Sequence, residues 1–197
     1  PQRGLGIEQF LEFVQQHMPS PVCFGERPAG KPGSAPLAEL VQPDDGPFAA
    51  KVWKTVVDPY VGRLTMLRCL RGHLRKDQGA LLVRTGKVLK VGHLHDVHGK
   101  ETKEISEVGP GDLFAISKIE DFATGDALTA EAAPLAFPPP EWPQPTHARH
   151  VWPKARTDEG KIAHALDKLT AEDPTLRSHR DKETGELLVT EIGGAHV

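Results

Sequence analysis

Residues 48–70 read FAAKVWKTVVDPYVGRLTMLRCL, two strand-like runs separated by a turn. The runs at 48–57 and 63–70 are rich in β-branched, aromatic and other apolar side chains, as strands are. Asp58-Pro59 ends the first run, because proline has no N–H to donate to a sheet ladder. Tyr60-Val61-Gly62 is then a candidate turn between two consecutive strands.

Four further strand-like runs follow, at 81–84, 88–94, 104–108 and 113–119. Thr85-Gly86-Lys87 separates the first two, and Gly109-Pro110-Gly111-Asp112 separates the last two. Short strands at this spacing, divided by glycine and proline turns, are typical of a small antiparallel barrel or sandwich. We therefore expect one such domain over residues 48–132.

A helix is predicted ahead of this domain, over residues 7–17. Ile7, Phe10, Leu11 and Val14 fall on one helical face. The segment 18–21, MPSP, ends the helix, because proline cannot continue it. An isolated helix of this length is marginal in water, so its apolar face needs a partner surface.

Two stretches are predicted to be linkers. Residues 22–47 are rich in glycine, proline, alanine and acidic residues, which favours a linker over a regular element. Residues 133–146 contain Pro138-Pro139-Pro140 and predict a stiff, extended boundary between two domains.

The last segment, 147–197, predicts a small α/β unit. Thr157 is a candidate N-cap, and Ile162, Leu166 and Leu169 then recur at helical spacing. Two short strands, at 175–179 and 187–190, bracket a turn. The order strand–helix–strand–strand predicts the first part of a ferredoxin-like unit, and another helix is expected where the sequence stops.

Composition excludes several classes of protein. The chain has 197 residues and a formal net charge of −3, which argues against binding nucleic acid by charge alone. No apolar run approaches the roughly 20 residues that cross a bilayer, and no secretory signal is visible. Cys23 and Cys69 form no paired motif, so a reducing cytoplasm is the expected compartment. The abrupt ends lead us to expect a piece of a longer chain.

The sequence offers no motif for catalysis or for binding a cofactor. No Gly-x-x-x-x-Gly-Lys-[Ser/Thr] loop occurs, so no phosphate cradle of that kind is expected. Cys69 lies in an apolar strand and is expected in the core, and no serine stands in a nucleophile-elbow context. We therefore assign no catalytic residue and no cofactor.

His93, His95 and His98 are the one candidate metal group. Alternation along a strand places His93 and His95 on one face, and His98 could reach them round a turn. Histidines in a polar, hairpin-like stretch are more often simply solvated. We assign no metal and keep a histidine-based metal-binding module as an alternative.

Basic residues crowd the first half of the predicted barrel. Cations on one barrel face can bind the RNA backbone, with an affinity that falls as salt rises. We predict RNA contacts from four residues, with the reservation that strand alternation can turn some of them away: Lys54, Arg63, Arg68 and Arg71. An ordinary solvated surface is the alternative.

Motifs along nearly the whole chain resemble the elongation factor G family of translational GTPases. The barrel motifs are KVWKT at 51–55, DPYVGRL at 58–64, RGHL at 71–74, GD at 111–112 and TGDAL at 124–128. The flanking motifs are MPSP at 18–21, AEDPT at 171–175 and ETGE at 183–186. Their order is that of the family.

The resemblance implies an architecture that is mainly β with an α+β part. Residues 1–21 would end the GTPase domain, 48–132 would form the translation-protein antiparallel β-barrel (domain II), and 147–197 a truncated ferredoxin-like α/β domain (part of domain III). In the family these domains bind small-subunit ribosomal RNA and protein, and they couple GTP hydrolysis to movement of tRNA and mRNA. The fragment itself would bind neither GTP nor Mg²⁺, which belong to the missing GTPase domain, and no DNA or membrane partner is expected.

Two departures from the family pattern point to a divergent paralogue, and the first is that the linker at 23–47 shows no motif of the family. The segment at 194–197 reads GAHV, without the glutamate that the family carries there. A ribosomal protection factor or a release-factor GTPase shares the barrel and is the alternative within the class. A plain protein-interaction module that never touches RNA is the alternative outside it.

Overall fold

The computed structural model describes residues 4–20, 27–33, 39–41, 46–58, 62–99, 101–153 and 155–193. Its helices are α1 (Ile7–His17) and α2 (Glu159–Glu172), with a 3₁₀ turn at Arg156–Asp158. Before and within the barrel the strands are β1 (Arg27–Ala29), β2 (Glu39–Val41), β3 (Ala49–Asp58), β4 (Gly62–Arg71), β5 (Leu74–Arg75), β6 (Gly79–Leu82), β7 (Lys87–Lys90), β8 (Leu94–His98), β9 (Glu101–Ile105), β10 (Glu107–Val108), β11 (Leu113–Ser117) and β12 (Ala127–Thr129). The last three strands are β13 (His147–Val151), β14 (Arg177–Arg180) and β15 (Leu187–Glu191).

Strands β3 and β4 are the centre of the barrel. The sheet order is β7-β6-β12-β3-β4-β11-β8-β9, and β5 pairs separately with β10. The burial pattern of β4 alternates over much of its length, because every second side chain points into the core. Val52, Leu67 and Cys69 lie in that core, which also takes side chains from the other barrel strands. The predicted antiparallel barrel is confirmed.

Two runs predicted as single strands, 88–94 and 104–108, are divided in the structure, and the second is split at Ser106 between β9 and β10. The run expected at 88–94 is broken, since β7 ends at Lys90 and β8 begins at Leu94. Val91 lies between them and turns into the core, where its N–H donates to the carbonyl of Gln78 at 3.0 Å. The sequence prediction ended its strand at Leu94 and described the following residues as a polar, hairpin-like stretch, where the structure has β8.

Helix α1 is confirmed at residues 7–17. All of α1 is described, and none of its side chains is buried. Phe10 and Leu11 belong to the exposed apolar face that the sequence predicted. Assignment of α1 to the end of a GTPase domain stays a prediction.

The segment expected to be a linker before the barrel contains two short strands. Most of 22–47, Cys23 included, lies outside the described residues, but β1 pairs antiparallel with β2. Ala29 at the end of β1 is buried, and Gly30 forms a bridge with Ala136 through hydrogen bonds of 3.0 and 2.8 Å. The glycine and proline content gave no signal of the Gly30–Ala136 bridge, because these two residues lie far apart in sequence.

The proline-rich stretch is fastened to the barrel over its first half. Leu135 and Phe137 are buried in a second cluster with Ala29, Ala49 and Ala127. Burial of such apolar side chains contributes about 1.5–3 kcal/mol each. We call residues 135–140 the strap. Since the strap belongs to the barrel, only 141–145 remain as a connection to the α/β unit, which is shorter than the sequence predicted.

The α/β unit has the strand order β13-β15-β14, with β15 antiparallel to both neighbours. β13 and β14 are therefore parallel, joined by α2 and split by β15, as in the first part of a ferredoxin-like unit. Thr157 is not the N-cap. The 3₁₀ turn moves that position to Asp158, whose Oδ1 accepts a hydrogen bond from Lys161 Nζ at 2.8 Å. The divergent segment 194–197 lies outside the described residues.

Replacement of Gly125 by alanine tests the strap. Gly125 has φ of +97°, and a Cβ there would lie 2.7 Å from Cδ of Pro140 in the strap. The positive φ alone costs about 1–2 kcal/mol, and overpacking adds roughly 1–3 kcal/mol. We expect Gly125→Ala to lower the free energy of unfolding by both terms, measured by urea denaturation.

The matched control is Gly86→Ala. Gly86 also has a positive φ, +68°, but no atom lies within 4 Å of its added Cβ. This variant carries only the backbone cost. Equal destabilisation by the two substitutions would show that the strap does not pack on the barrel at Gly125.

Candidate nucleic-acid interface

Strand alternation separates the basic residues that the sequence singled out. Arg63 and Arg68 lie five positions apart on β4, so they point to opposite faces of the sheet. Arg63 Nη1 donates to the carbonyl of Glu120 at 2.8 Å, and Nη2 to that of Phe122 at 2.6 Å. Arg63 therefore links β4 to the segment that follows β11, and an RNA contact by it stays a prediction.

Lys54 and Arg68 occupy the outer face of the β3–β4 pair. Lys51 lies opposite Arg68, and Lys54 lies opposite Met66. Among the described residues, the side chains of Lys54 and Arg68 have no hydrogen-bond or ion-pair partner. These two cations are the predicted RNA ligands that the structure leaves available.

Arg71 lies apart from that pair, at the end of β4. It pairs with Ala49 beyond an irregularity of the ladder, and its guanidinium packs against Gly46 so closely that a Cβ there would overlap it. The structure thus groups Lys54 with Arg68 and places Arg63 and Arg71 elsewhere. An RNA contact by Arg71 stays a prediction.

A bulge in β3 adds a residue that the sequence prediction missed. The ladder pairs Val52 with Leu67 and Lys54 with Met66, so Trp53 is an extra residue without an opposite partner. Bulges re-aim side chains and often border functional sites. Trp53 is half exposed beside Lys54, and the pattern of residue types along β3 gave no sign of the bulge.

The loop between β11 and β12 is held by a buried carboxylate. Asp126 accepts hydrogen bonds from Arg84 Nε at 2.7 Å, from Arg84 Nη2 at 3.0 Å and from the Ala123 N–H at 2.7 Å. The hydrogen bond with Asp126 raises the pKa of Arg84, so this cation stays charged. The TGD motif at 124–126 is thereby explained as a structural turn.

The barrel and the α/β unit meet where α2 packs against β3. β12 pairs with β3 only at Ala49–Lys51, and the loop before β12 forms hydrogen bonds with Val52. The N–H of Val57 therefore has no strand partner on this edge of β3. Glu172 Oε1, at the end of α2, accepts the Val57 N–H at 2.6 Å. Asp173 then ends the helix, and its Oδ1 accepts the N–H of Thr175 at 2.9 Å. The EDPT motif at 172–175 therefore lies where the two parts meet, and we call the Val57–Glu172 hydrogen bond the joint.

The three candidate metal ligands do not converge. His95 Nε2 lies 2.9 Å from Ser117 Oγ, and burial is the main cause that lowers the pKa of His95. His93 stacks on His95 with ring centroids 6.4 Å apart, whereas His98 lies beside Asp96 at the far end of β8. Within the described part of the chain, no group of three or more His, Cys, Asp or Glu residues is arranged to hold a metal ion.

Cys69 is placed in the core, as expected. Burial raises the pKa of its thiol to about 12, and its Sγ lies 3.3 Å from the carbonyl of Gly72. A thiol with this pKa stays protonated and is a poor nucleophile at neutral pH. Over the residues that the structure covers, no helix is both long and apolar enough to cross a membrane.

Comparison with known proteins agrees with this architecture. The family model described as Elongation factor G domain 2 matches residues 47–131. The model described as Elongation Factor G, domain III, matches residues 142–197. A protein from Thermus thermophilus, known from its crystal structure, is 32% identical with a TM-score of 0.75. That match covers 98% of the present chain and 26% of the Thermus chain.

An antiparallel barrel followed by this α/β unit, with both family matches, defines part of a translation factor. The chain belongs to the elongation factor G family and carries sequences of its second and third domains in their order. The resemblance that the motifs indicated is confirmed. The chain spans about a quarter of the length of the Thermus relative, 26%.

Removal of the Glu172 carboxylate tests the joint. Hydrogen bonds to charged groups contribute about 1.5–3 kcal/mol, which corresponds to roughly 10- to 150-fold in an equilibrium. We expect Glu172→Ala to accelerate exchange of the Val57 amide hydrogen by about tenfold or more, measured by NMR hydrogen exchange. Glu183→Ala, at an exposed turn position, is the matched control and should leave that rate unchanged. Unchanged exchange in Glu172→Ala would show that the joint is open in solution.

Proposed function

We propose that the barrel and the α/β unit are ribosome-binding domains of a translational GTPase of the elongation factor G family. In the longer protein they couple GTP hydrolysis to movement of tRNA and mRNA. The observation that carries the proposal is the pair Lys54 and Arg68, two available cations on the outer face of a barrel that matches domain 2 of this family. Phosphate contacts from such cations position a protein on RNA.

The chain alone is proposed to bind and hydrolyse no GTP. The sequence lacks a phosphate-binding loop, so that chemistry is assigned to a GTPase domain elsewhere in the longer protein. GTP and Mg²⁺ are then ligands of that domain. The proposed partners of the present residues are small-subunit ribosomal RNA and protein, in the cytoplasm.

The joint supports a mechanical role for the two parts. The Val57–Glu172 hydrogen bond links β3 to α2, and the strap fixes the chain to the barrel up to Pro140. Any swing of the α/β unit then has to use residues 141–145 and break the joint. Such a hinge with a defined closed contact is one way in which domains switch between two orientations.

The alternatives are less well supported. A ribosomal protection or release-factor GTPase would use the same barrel, but both family matches carry the name elongation factor G. The metal-binding hypothesis loses its third ligand, because His98 pairs with Asp96 away from His93 and His95.

Binding to small ribosomal subunits tests the proposal. We expect the chain to co-sediment with small subunits, with an affinity that falls as salt rises. Lys54→Ala and Arg68→Ala should each weaken binding and reduce the slope of log K against log[salt] by roughly 0.7–0.9, since each removes one phosphate contact.

Lys103→Ala provides the control for this experiment. Lys103 is exposed on β9, three strands from β4 in the sheet order, and should leave the affinity and the slope unchanged. Absence of co-sedimentation at low salt, or an equal effect of Lys103→Ala, would contradict the proposed interface.

A further inference from the structure

A pocket of about 460 Å³ opens between the outer face of β3–β4 and the strap. Its walls include two indole rings, Trp53 and Trp142, and the rings of Phe137 and Pro140. Small-molecule sites commonly measure about 300–1,000 Å³ and combine apolar walls with a few polar groups. The pocket has both the size and the composition of a binding site.

The two tryptophans are held at the surface. Trp53 is 49% exposed and Trp142 is 38% exposed, although indole side chains favour burial. The bulge at Trp53 turns it out of the ladder, and Trp142 stands two residues beyond the end of the strap that Phe137 anchors. Flat aromatic faces are therefore presented from two separate elements.

The pocket carries positive charge and no acidic side chain among the described residues that line it. Lys51 Nζ donates to the carbonyl of Pro138 at 2.8 Å and so holds the strap in place. Arg68 lines the same pocket, and its guanidinium has no ion-pair or hydrogen-bond partner in the described part of the chain. In a protein with a net charge of −3, this is a local site for an anion.

We propose that this pocket binds a single unstacked nucleotide of RNA, with its base against the tryptophan rings and its phosphate on Arg68. Unpaired bases are recognised by stacking on aromatic side chains, with arginine supplying charge and a further stacking plane. The choice of RNA rests on the proposed ribosome-binding function and makes it more specific. The pocket binds the flipped-out nucleotide, while Lys54, which lies outside the pocket, contacts the RNA backbone.

A proline-rich peptide is the competing occupant of an aromatic groove. Such peptides dock as extended helices on aromatic side chains. Here the chain's own Pro138 and Pro140 already form one wall, and among the described lining residues the Arg68 guanidinium is a cation without a side-chain partner. Charge complementarity therefore favours the nucleotide over a neutral peptide.

Tryptophan fluorescence gives a direct test. The third tryptophan, Trp152, is 71% exposed in the α/β unit, so Trp152→Phe leaves a signal from Trp53 and Trp142 only. In this background we expect an unstructured RNA hexanucleotide to quench the fluorescence, and to bind more tightly than adenosine monophosphate. Equal affinity for the two would overturn RNA as the source and leave a free nucleotide as the ligand.

Variants of the pocket make the test specific. Base–aromatic stacking is lost on alanine substitution at a cost equivalent to roughly 5- to 150-fold in affinity. We expect Trp53→Ala and Arg68→Gln each to weaken hexanucleotide binding by about tenfold, measured by fluorescence anisotropy of labelled RNA. Trp53→Phe should retain most of the affinity, because it keeps an aromatic face. Trp152→Ala, outside the pocket, should leave the affinity unchanged.

Two results would overturn the proposal. One is hexanucleotide binding that Trp53→Ala leaves unchanged, and the other is binding of a proline-rich peptide in place of RNA. Co-sedimentation with small subunits separates this failure from failure of the proposed function. If the chain binds subunits in a salt-dependent way but Trp53→Ala has no effect on either ligand, only the pocket assignment fails. If the chain binds neither subunits nor the hexanucleotide, both fail.

Discussion

The outer face of the barrel depends on the hydrogen bonds that the Asp126 carboxylate accepts. It takes two hydrogen bonds from Arg84 and one from the Ala123 N–H, and its own backbone carbonyl accepts the Val52 N–H at 2.9 Å. The side chain of Asp126 is only 6% exposed, so loss of these donors would leave a buried charge uncompensated. The loop at 121–126 is therefore fixed relative to β3.

Several features follow from this fixed loop. Gly125 is placed under Pro140, where the absence of a Cβ lets the strap approach. The Gly125 N–H donates to the Val52 carbonyl at 3.0 Å, immediately before the bulge that exposes Trp53. The strap and Trp53 then enclose the pocket beside Arg68. One ion pair, between the buried Asp126 carboxylate and the half-exposed Arg84 guanidinium, thus positions elements that are far apart in sequence.

The sequence predicted the architecture better than it predicted the interface. Apolar runs and glycine turns indicated the barrel, because strands half buried in one core must alternate, and the same logic located α2. The sequence predicted a stiff, extended boundary between two domains where the strap lies, since proline content reports stiffness and not the surface on which a segment packs. Likewise the joint connects Val57 and Glu172, which lie 115 positions apart, so no local pattern could reveal it.

Arg63 and Arg68 were both predicted to bind RNA. They lie an odd number of positions apart on β4, so their side chains point to opposite faces of the sheet. Trp53 was missed because a bulge leaves no signature in the sequence.

Hydrolysis of GTP by the longer protein tests most directly whether these domains serve a translational GTPase, as we propose. The measurement is the rate of phosphate release with and without ribosomes, at equal GTP and Mg²⁺ concentrations. We predict slow hydrolysis by the protein alone and strong stimulation by ribosomes. A rate that ribosomes leave unchanged would contradict it, and would mean that a barrel of this family serves another purpose here.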